Sequence, residues 1–295
     1  MIQTLRTMIA KRPWIKSTLV WKHFSSIWSL LIGYYEFYIY RHKRIENQRI
    51  AKAFFEKEQD RVDKITSWLA DEESKETFVK MIKFRQTGKL KYYVSHGLMT
   101  QYFINNFFKY SKNEVLIDCG AFIGDSIELF LSLPNIDYKK IYALEPDPKN
   151  IRVLEDREFV RSAGNKITPI MAGAYNKNCE LYFSNCGAWG KITEFSKGGT
   201  DETCIKVLSI DSLQVNDKIT FIKADIEGGE IKMLEGANKT ILRDKPRLAI
   251  CIYHSNEDML RIAEYIHDLV PEYRLYVRHH QYYPRIWETV LYATT

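Results

Sequence analysis

Four polar residues, Asp118, Glu145, Asp225 and His254, each follow a short apolar run, at residues 115–117, 141–144, 220–224 and 248–253. Acids and a histidine at strand ends of an α/β sheet can grip hydroxyls, hold a cation or move a proton. Asp118 opens a turn with Gly120 and Gly124, in the pattern Asp-x-Gly-x-x-x-Gly. This is neither the Gly-x-Gly-x-x-Gly of dinucleotide binders nor a P-loop, which would need a Lys-Ser/Thr after the last glycine. The glycines let the backbone turn sharply against a ligand. An acid at the mouth of that turn would repel phosphate. It suits a cationic ligand carrying an ammonium and a sulfonium, as S-adenosyl-L-methionine does. Glu145 lies 25 residues beyond Gly120. There a carboxylate can take both ribose hydroxyls of a nucleoside.

These residues require an alternation of buried strands and amphipathic helices. Asp125-Ser126 supplies an N-cap pair ahead of Ile127, Phe130 and Leu131. Asp147-Pro148 caps and starts a helix through Ile151 and Leu154. Residues 167–171 make a third strand leading to Gly173 and Ala174. Residues 179–183 and 203–208 read as added β-segments joined by a glycine-rich loop. After Asp225, one helix carries Ile231, Leu234, Ala237 and Ile241; after His254, another carries Met259, Ile262, Ala263 and Ile266. Segments 274–277 and 289–292 close the chain as a hairpin whose loop carries His279 and His280. The expected fold is α/β: a doubly wound, mostly parallel sheet with an antiparallel C-terminal edge.

Ahead of this lies an N-terminal helical extension, residues 1–110, with residues 111–295 as the second domain. Residues 45–85 read as helical, with Val62, Ile65, Trp68 and Leu69 on one face and Phe78, Met81, Ile82 and Arg85 on another. Residues 92–94 read as a short extended piece and 99–110 as one more helix. His96 and Tyr102 are placed to lid a ligand.

The chain has 295 residues, 45% apolar and 27% charged, with net charge +6, so it can hold one large domain or one with an appendage. Nine Lys/Arg against Glu36 and Glu46 put +7 in residues 1–50, leaving −1 for the rest. The remainder therefore lacks the basic field of a nucleic-acid binder, and none is expected as a partner. Residues 24–40 are apolar and aromatic but too short for a membrane span. They fit a helix packed on this chain or on a second copy in a homodimer. Residues 1–50 as a whole equally fit a peripheral contact with an anionic membrane surface. Five cysteines with no Cys-x-x-Cys pair fit a reducing cytoplasm, at the inner face of the membrane if that contact is made.

Residues 117–125, 143–147 and 221–230, followed by Leu234-Glu-Gly-Ala237, resemble the FkbM family of methyltransferases that use S-adenosyl-L-methionine. The tail at 247–254, 276–280 and 288–292 is similar to a bacterial subgroup of it. The resemblance covers residues 95–295, with Gly229 standing where alanine is expected. It implies a class I methyltransferase (Rossmann-like) fold and O-methylation of a sugar hydroxyl in a surface glycan, glycolipid or related small molecule. On this reading Asp118 and the turn of Gly120, Ala121, Phe122, Gly124 and Asp125 hold the methionine part. Glu145, Pro146 and Asp147 take the ribose, Gly173 and Ala174 wall the adenine, and Asp225 faces the methyl group. His254 is the preferred general base and Asp225 the alternate. No metal is expected; Asp225, Glu227 and His254 form the alternative ligand set. A non-catalytic nucleoside-binding scaffold recruited through its N-terminus, and a nicotinamide oxidoreductase, are the competing functions.

Overall fold

The structure, a computed structural model, describes residues 41–97, 101–104, 107–185, 190–193, 202–281 and 284–295. The aromatic run at 24–40 and most of the basic segment lie outside them. The strands are β1 (Glu114–Cys119), β2 (Tyr138–Leu144), β3 (Ile167–Ile170), β4 (Gly173–Ala174), β5 (Cys179–Asn185), β6 (Gly190–Thr193), β7 (Glu202–Leu208), β8 (Phe221–Ala224), β9 (Arg247–Cys251), β10 (Arg274–His279) and β11 (Thr289–Thr294). The helices are α1 (Arg41–Lys57), α2 (Gln59–Trp68), α3 (Glu72–Thr87), α4 (Asp125–Leu131), α5 (Pro148–Glu155), α6 (Glu158–Ala163), α7 (Glu230–Glu235), α8 (Asn238–Asp244) and α9 (Asn256–Leu269).

Seven strands make the main sheet in the order β10-β11-β9-β8-β1-β2-β3. The order reverses beside β1, where β2 and β8 flank it in parallel. That switch point opens a crevice above the carboxyl ends of the strands. The C-terminal hairpin does complete the sheet, but the reversed strand β11 inserts between β9 and β10. The edge strand β10 therefore runs with the majority. A smaller sheet, β4-β7-β5-β6, stands beside it.

Alternate residues of each central strand enter opposite cores, as strand geometry demands. Ile117, Ile222, Leu248 and Ile250 face a layer built with α1–α3, α7 and α9. Leu116, Phe221, Ala249 and Tyr292 face a layer with α4, α5 and a cluster of Phe103 and Phe108. Burial on both faces explains why these strands read as continuous apolar runs.

Local departures have local causes. Residues 99–110 do not form the expected helix in their described part; Phe103 and Phe108 instead wedge into the core. Leu90–Tyr92 form a 3₁₀ turn, so the extended backbone expected over 92–94 begins at Tyr93. The helix expected after Asp225 breaks into α7 and α8 at Gly236, where a Cβ would lie 2.0 Å from the Tyr175 carbonyl oxygen. Asp147 caps α5 as expected, accepting from Lys149 N at 2.7 Å with Pro148 in the first turn.

Candidate active site

A cleft of about 420 Å³ lies over the switch point, within the range of roughly 300–1,000 Å³ usual for small-molecule sites. Gly120, Phe122, Glu145, Gly173 and Ala174 line it on the β1–β2 side. Tyr102, Asp225, Glu227, Tyr253 and Glu288 line it toward β8, β9 and β11. Gly120 has φ +79°, and a Cβ there would fall 2.1 Å from the Asp225 carbonyl oxygen, so the turn tolerates only glycine. Gly124 also has positive φ and is itself the N-cap of α4, without a side-chain cap. Asp125 begins the helix, and Ser126 turns inward.

Glu145 is nearly buried and orients the turn. Its Oε2 accepts from Phe122 N at 2.9 Å; its Oε1 accepts from Asp147 N at 3.0 Å and Asn150 Nδ2 at 3.1 Å. Burial raises its pKa against these hydrogen bonds. A carboxylate offers about four acceptor positions, so with three donors in place capacity remains for a ribose hydroxyl. Asp125 also lines the cleft, its carboxyl raised by burial.

Asp118 does not face the cleft. It has no exposed surface, and its carboxylate pairs with Lys223 Nζ at 2.9 Å and accepts from Ser126 Oγ. Asp118 and Lys223 are register partners on β1 and β8. Lys223 also donates to the Gly120 carbonyl at 2.8 Å. Burial would lower its pKa, but Asp118 and Asp225 outweigh that and hold it charged. The acid expected to meet a cationic ligand instead meets an internal lysine, and together they clamp the glycine turn.

At the opposite end, Asp225 accepts from Tyr102 Oη at 2.8 Å and Tyr253 Oη at 2.9 Å. Burial raises its pKa, yet His254, Lys223 and Tyr102 win and hold it well below the ordinary carboxylate range. His254 Nε2 lies 3.2 Å from Asp225 Oδ1 and 3.1 Å from Glu230 Oε1; its Nδ1 lies 3.5 Å from Glu227 Oε2. Burial pushes this imidazole down, but Glu230 and Asp225 overcome it and lift the pKa to about 11. Held between these two carboxylates, the imidazole favours its protonated form, which is not the form a general base needs. Burial pushes Glu227 up to about 7. Glu288 is also raised, by burial and then by the neighbouring Asp225 charge.

The model of the methyltransferase FkbM domain matches residues 118–283, more than half of the chain. The chain belongs to the FkbM methyltransferase family. A solved FkbM methyltransferase from Methylobacillus flagellatus is 30% identical, with TM-score 0.71 over 82% of this chain and 60% of that one. The chain thus spans about 60% of that relative's length. Looser likenesses include Aeropyrum pernix fibrillarin in complex with S-adenosyl-L-methionine, at 14% identity and TM-score 0.40 over 63% and 67% of the two chains. Another is a putative methyltransferase from Streptococcus mutans, at 15% identity and TM-score 0.38 over 67% and 93%. No protein of curated function matches the chain in sequence.

The family motifs thus form one cleft at the strand ends. Gly120, Phe122, Asp125, Glu145, Pro146, Gly173, Ala174 and Asp225 line it. Ala121 is buried beneath the turn, and Asp147 serves as the α5 cap. His96 turns away to Glu73 and the His279 backbone; His279 and His280, expected on the hairpin loop, are both buried, and His279 is the last residue of β10. Sequence reasoning missed Lys223, Glu230, Tyr253 and Glu288. Lys223 did leave a signal: a lysine inside a four-residue buried strand needs a buried counter-charge. Glu288 opens the block 288–292 that resembles the family, but no spacing rule places a loop residue ahead of β11 in the cleft.

Proposed function

We propose that this FkbM-family protein is an S-adenosyl-L-methionine-dependent O-methyltransferase acting on a hydroxyl of a sugar or glycan-like acceptor. The observation that carries this reading is one cleft with two chemically distinct ends. At one end are a glycine turn packed against backbone and an oriented Glu145; at the other is a set of carboxylates and tyrosines. The first end fits an adenosine: Gly120 lets the backbone approach, Glu145 has acceptor capacity for a ribose hydroxyl, and Gly173 and Ala174 line the wall beside it. When bound, the cofactor supplies an activated methyl group on a sulfonium.

The chain must then bring an acceptor oxygen into line and take its proton. Glu288 is the base on this reading. Its Oε2 is held by Gln101 Nε2, while Oε1 has no hydrogen-bond partner among the described residues. Its raised pKa makes it a stronger base than Asp225, whose pKa is held down and whose two oxygens each accept from a tyrosine. As the oxygen–carbon bond forms and the carbon–sulfur bond breaks, the acceptor proton passes to Glu288. Because the ionised carboxylate is the active form, turnover rises as pH climbs through its raised pKa.

Calorimetry should detect binding of S-adenosyl-L-methionine and of its demethylated product. Absence of both at millimolar ligand would end the reading. Glu288→Gln should lower kcat by roughly 10²–10⁴-fold, leave cofactor affinity intact and remove the acid limb of the pH–rate profile. A variant that keeps the wild-type profile would show that another group takes the proton.

A further inference from the structure

We propose that Asp225, Glu230 and His254 bind a divalent cation of the Mn²⁺ class, at the wall of the cleft. The three ligand atoms lie within 4.8 Å of one another, and the two contacts of His254 Nε2 measure 3.2 and 3.1 Å. Atoms held about 2.0–2.2 Å from one ion stand roughly 2.8–3.6 Å apart, so the two separations from Nε2 are those of neighbouring ligands.

Two further features point to an ion. Glu230 is fully buried, its Oε1 accepts from Ile226 N at 2.9 Å, and its Oε2 has no hydrogen-bond partner among the described residues. His254 Nε2 is likewise buried and, among the described residues, makes ion-pair contacts with two carboxylate oxygens but no geometrically aligned hydrogen bond. A fully desolvated carboxylate oxygen with no donor is costly unless something positive reaches it. Meanwhile Glu227 Oε2 lies 3.5 Å from the other ring nitrogen. Glu227 thus places a carboxylate beside Nδ1, while an ion taking the place of the proton that Nε2 holds between Asp225 and Glu230 would release that proton on binding. Glu227, expected among the ligands, therefore stands behind one of them, and Glu230 takes its place. Two carboxylates with one imidazole suit a borderline-hard ion such as Mn²⁺. Asp225 belongs both to this cluster and to the cleft wall. An ion there sits one carboxylate away from an arriving acceptor hydroxyl and fixes the aspartate that faces it.

The proposal concerns the ion and does not require that the acceptor be a sugar. The test titrates chelator-stripped full-length protein with MnCl₂ by calorimetry and locates the ion by anomalous scattering in Mn²⁺-soaked crystals. One ion per chain is expected, with a density peak between Asp225, Glu230 and His254 and affinity reduced roughly 100-fold or more in Glu230→Gln and His254→Ala. No saturable binding at millimolar Mn²⁺, a peak only elsewhere, or wild-type affinity in both variants overturns it. If the variants do not fold, the anomalous map of the wild type decides alone. Cofactor calorimetry on the same stripped protein reports separately on the methyltransferase reading.

Discussion

Lys223 carries a full charge into the sheet interior, and the glycine turn depends on it. It neutralises Asp118, donates to the Gly120 carbonyl, and its ammonium lies 5.0 Å from the centre of the Tyr102 ring. Removing one partner of a buried pair leaves the other unpaired, at about 3–5 kcal/mol. Lys223→Met should lower urea-unfolding stability by that amount, and adding Asp118→Leu should recover much of it, since a well-packed apolar pair of similar volume is often neutral. Both variants should weaken cofactor binding, because the turn loses its clamp. A single variant as stable as wild type would show that the pair holds nothing. This residue also marks where the sequence stops being informative. That Asp118 ends a strand is visible from the apolar run before it. That its charge is spent on the next strand depends on register, which a residue string does not carry. His254 repeats the lesson: its place at a strand end was legible, but its protonation depends on Glu230, which only the turn at Glu227–Gly228, both with positive φ, brings back to it.

Helix α3 reaches the cleft through one side chain. Arg85 is buried in its last turn and grips the Tyr253 carbonyl, Asn256 Oδ1 at 3.2 Å and the Ile286 carbonyl at 3.4 Å. It therefore ties the strand-end loop bearing His254 to the loop bearing Glu288. Burial lowers its pKa to about 10, against the charge of Asp258, so it stays cationic at neutral pH. Lysine keeps the charge but cannot fork to several acceptors at once. Arg85→Lys should cost about 1.5–3 kcal/mol through the lost charge-assisted bonds and lower kcat more than cofactor affinity, since the loops it joins lie on the acceptor side. Equal losses in kcat and cofactor affinity, or none in kcat, would contradict that role. Elements of this kind were partly legible: the apolar face of α3 shows its helical period, and Arg85 falls on that face. The destination of an arginine on a core face is a tertiary fact. The split at Gly236 is another, set by the Tyr175 carbonyl arriving from a distant strand.

At the scale of the molecule, the N-terminal helices share one core with the sheet. Phe55, Phe78, Met81 and Phe84 belong to the same buried cluster as Ile250, Leu275, Val277 and Leu291. Polar ties reinforce it: Arg61 pairs with Glu257 and Glu264 of α9, and Arg278 of β10 pairs with Asp71 and Glu73 at the start of α3. Burying each large apolar side chain contributes about 1.5–3 kcal/mol. Those four alone then contribute on the order of 6–12 kcal/mol, comparable to the whole stability of a typical domain, about 5–15 kcal/mol. Deleting residues 1–90 would also bare the face of β10 that α3 packs against, and would remove Arg85 from the cleft. The shortened chain should show no cooperative thermal transition by near-ultraviolet circular dichroism and no cofactor binding by calorimetry, even though every family motif remains in it. A sharp transition with intact binding would instead make α1–α3 a detachable appendage, and the cleft would have to be stable on the sheet and its remaining helices alone.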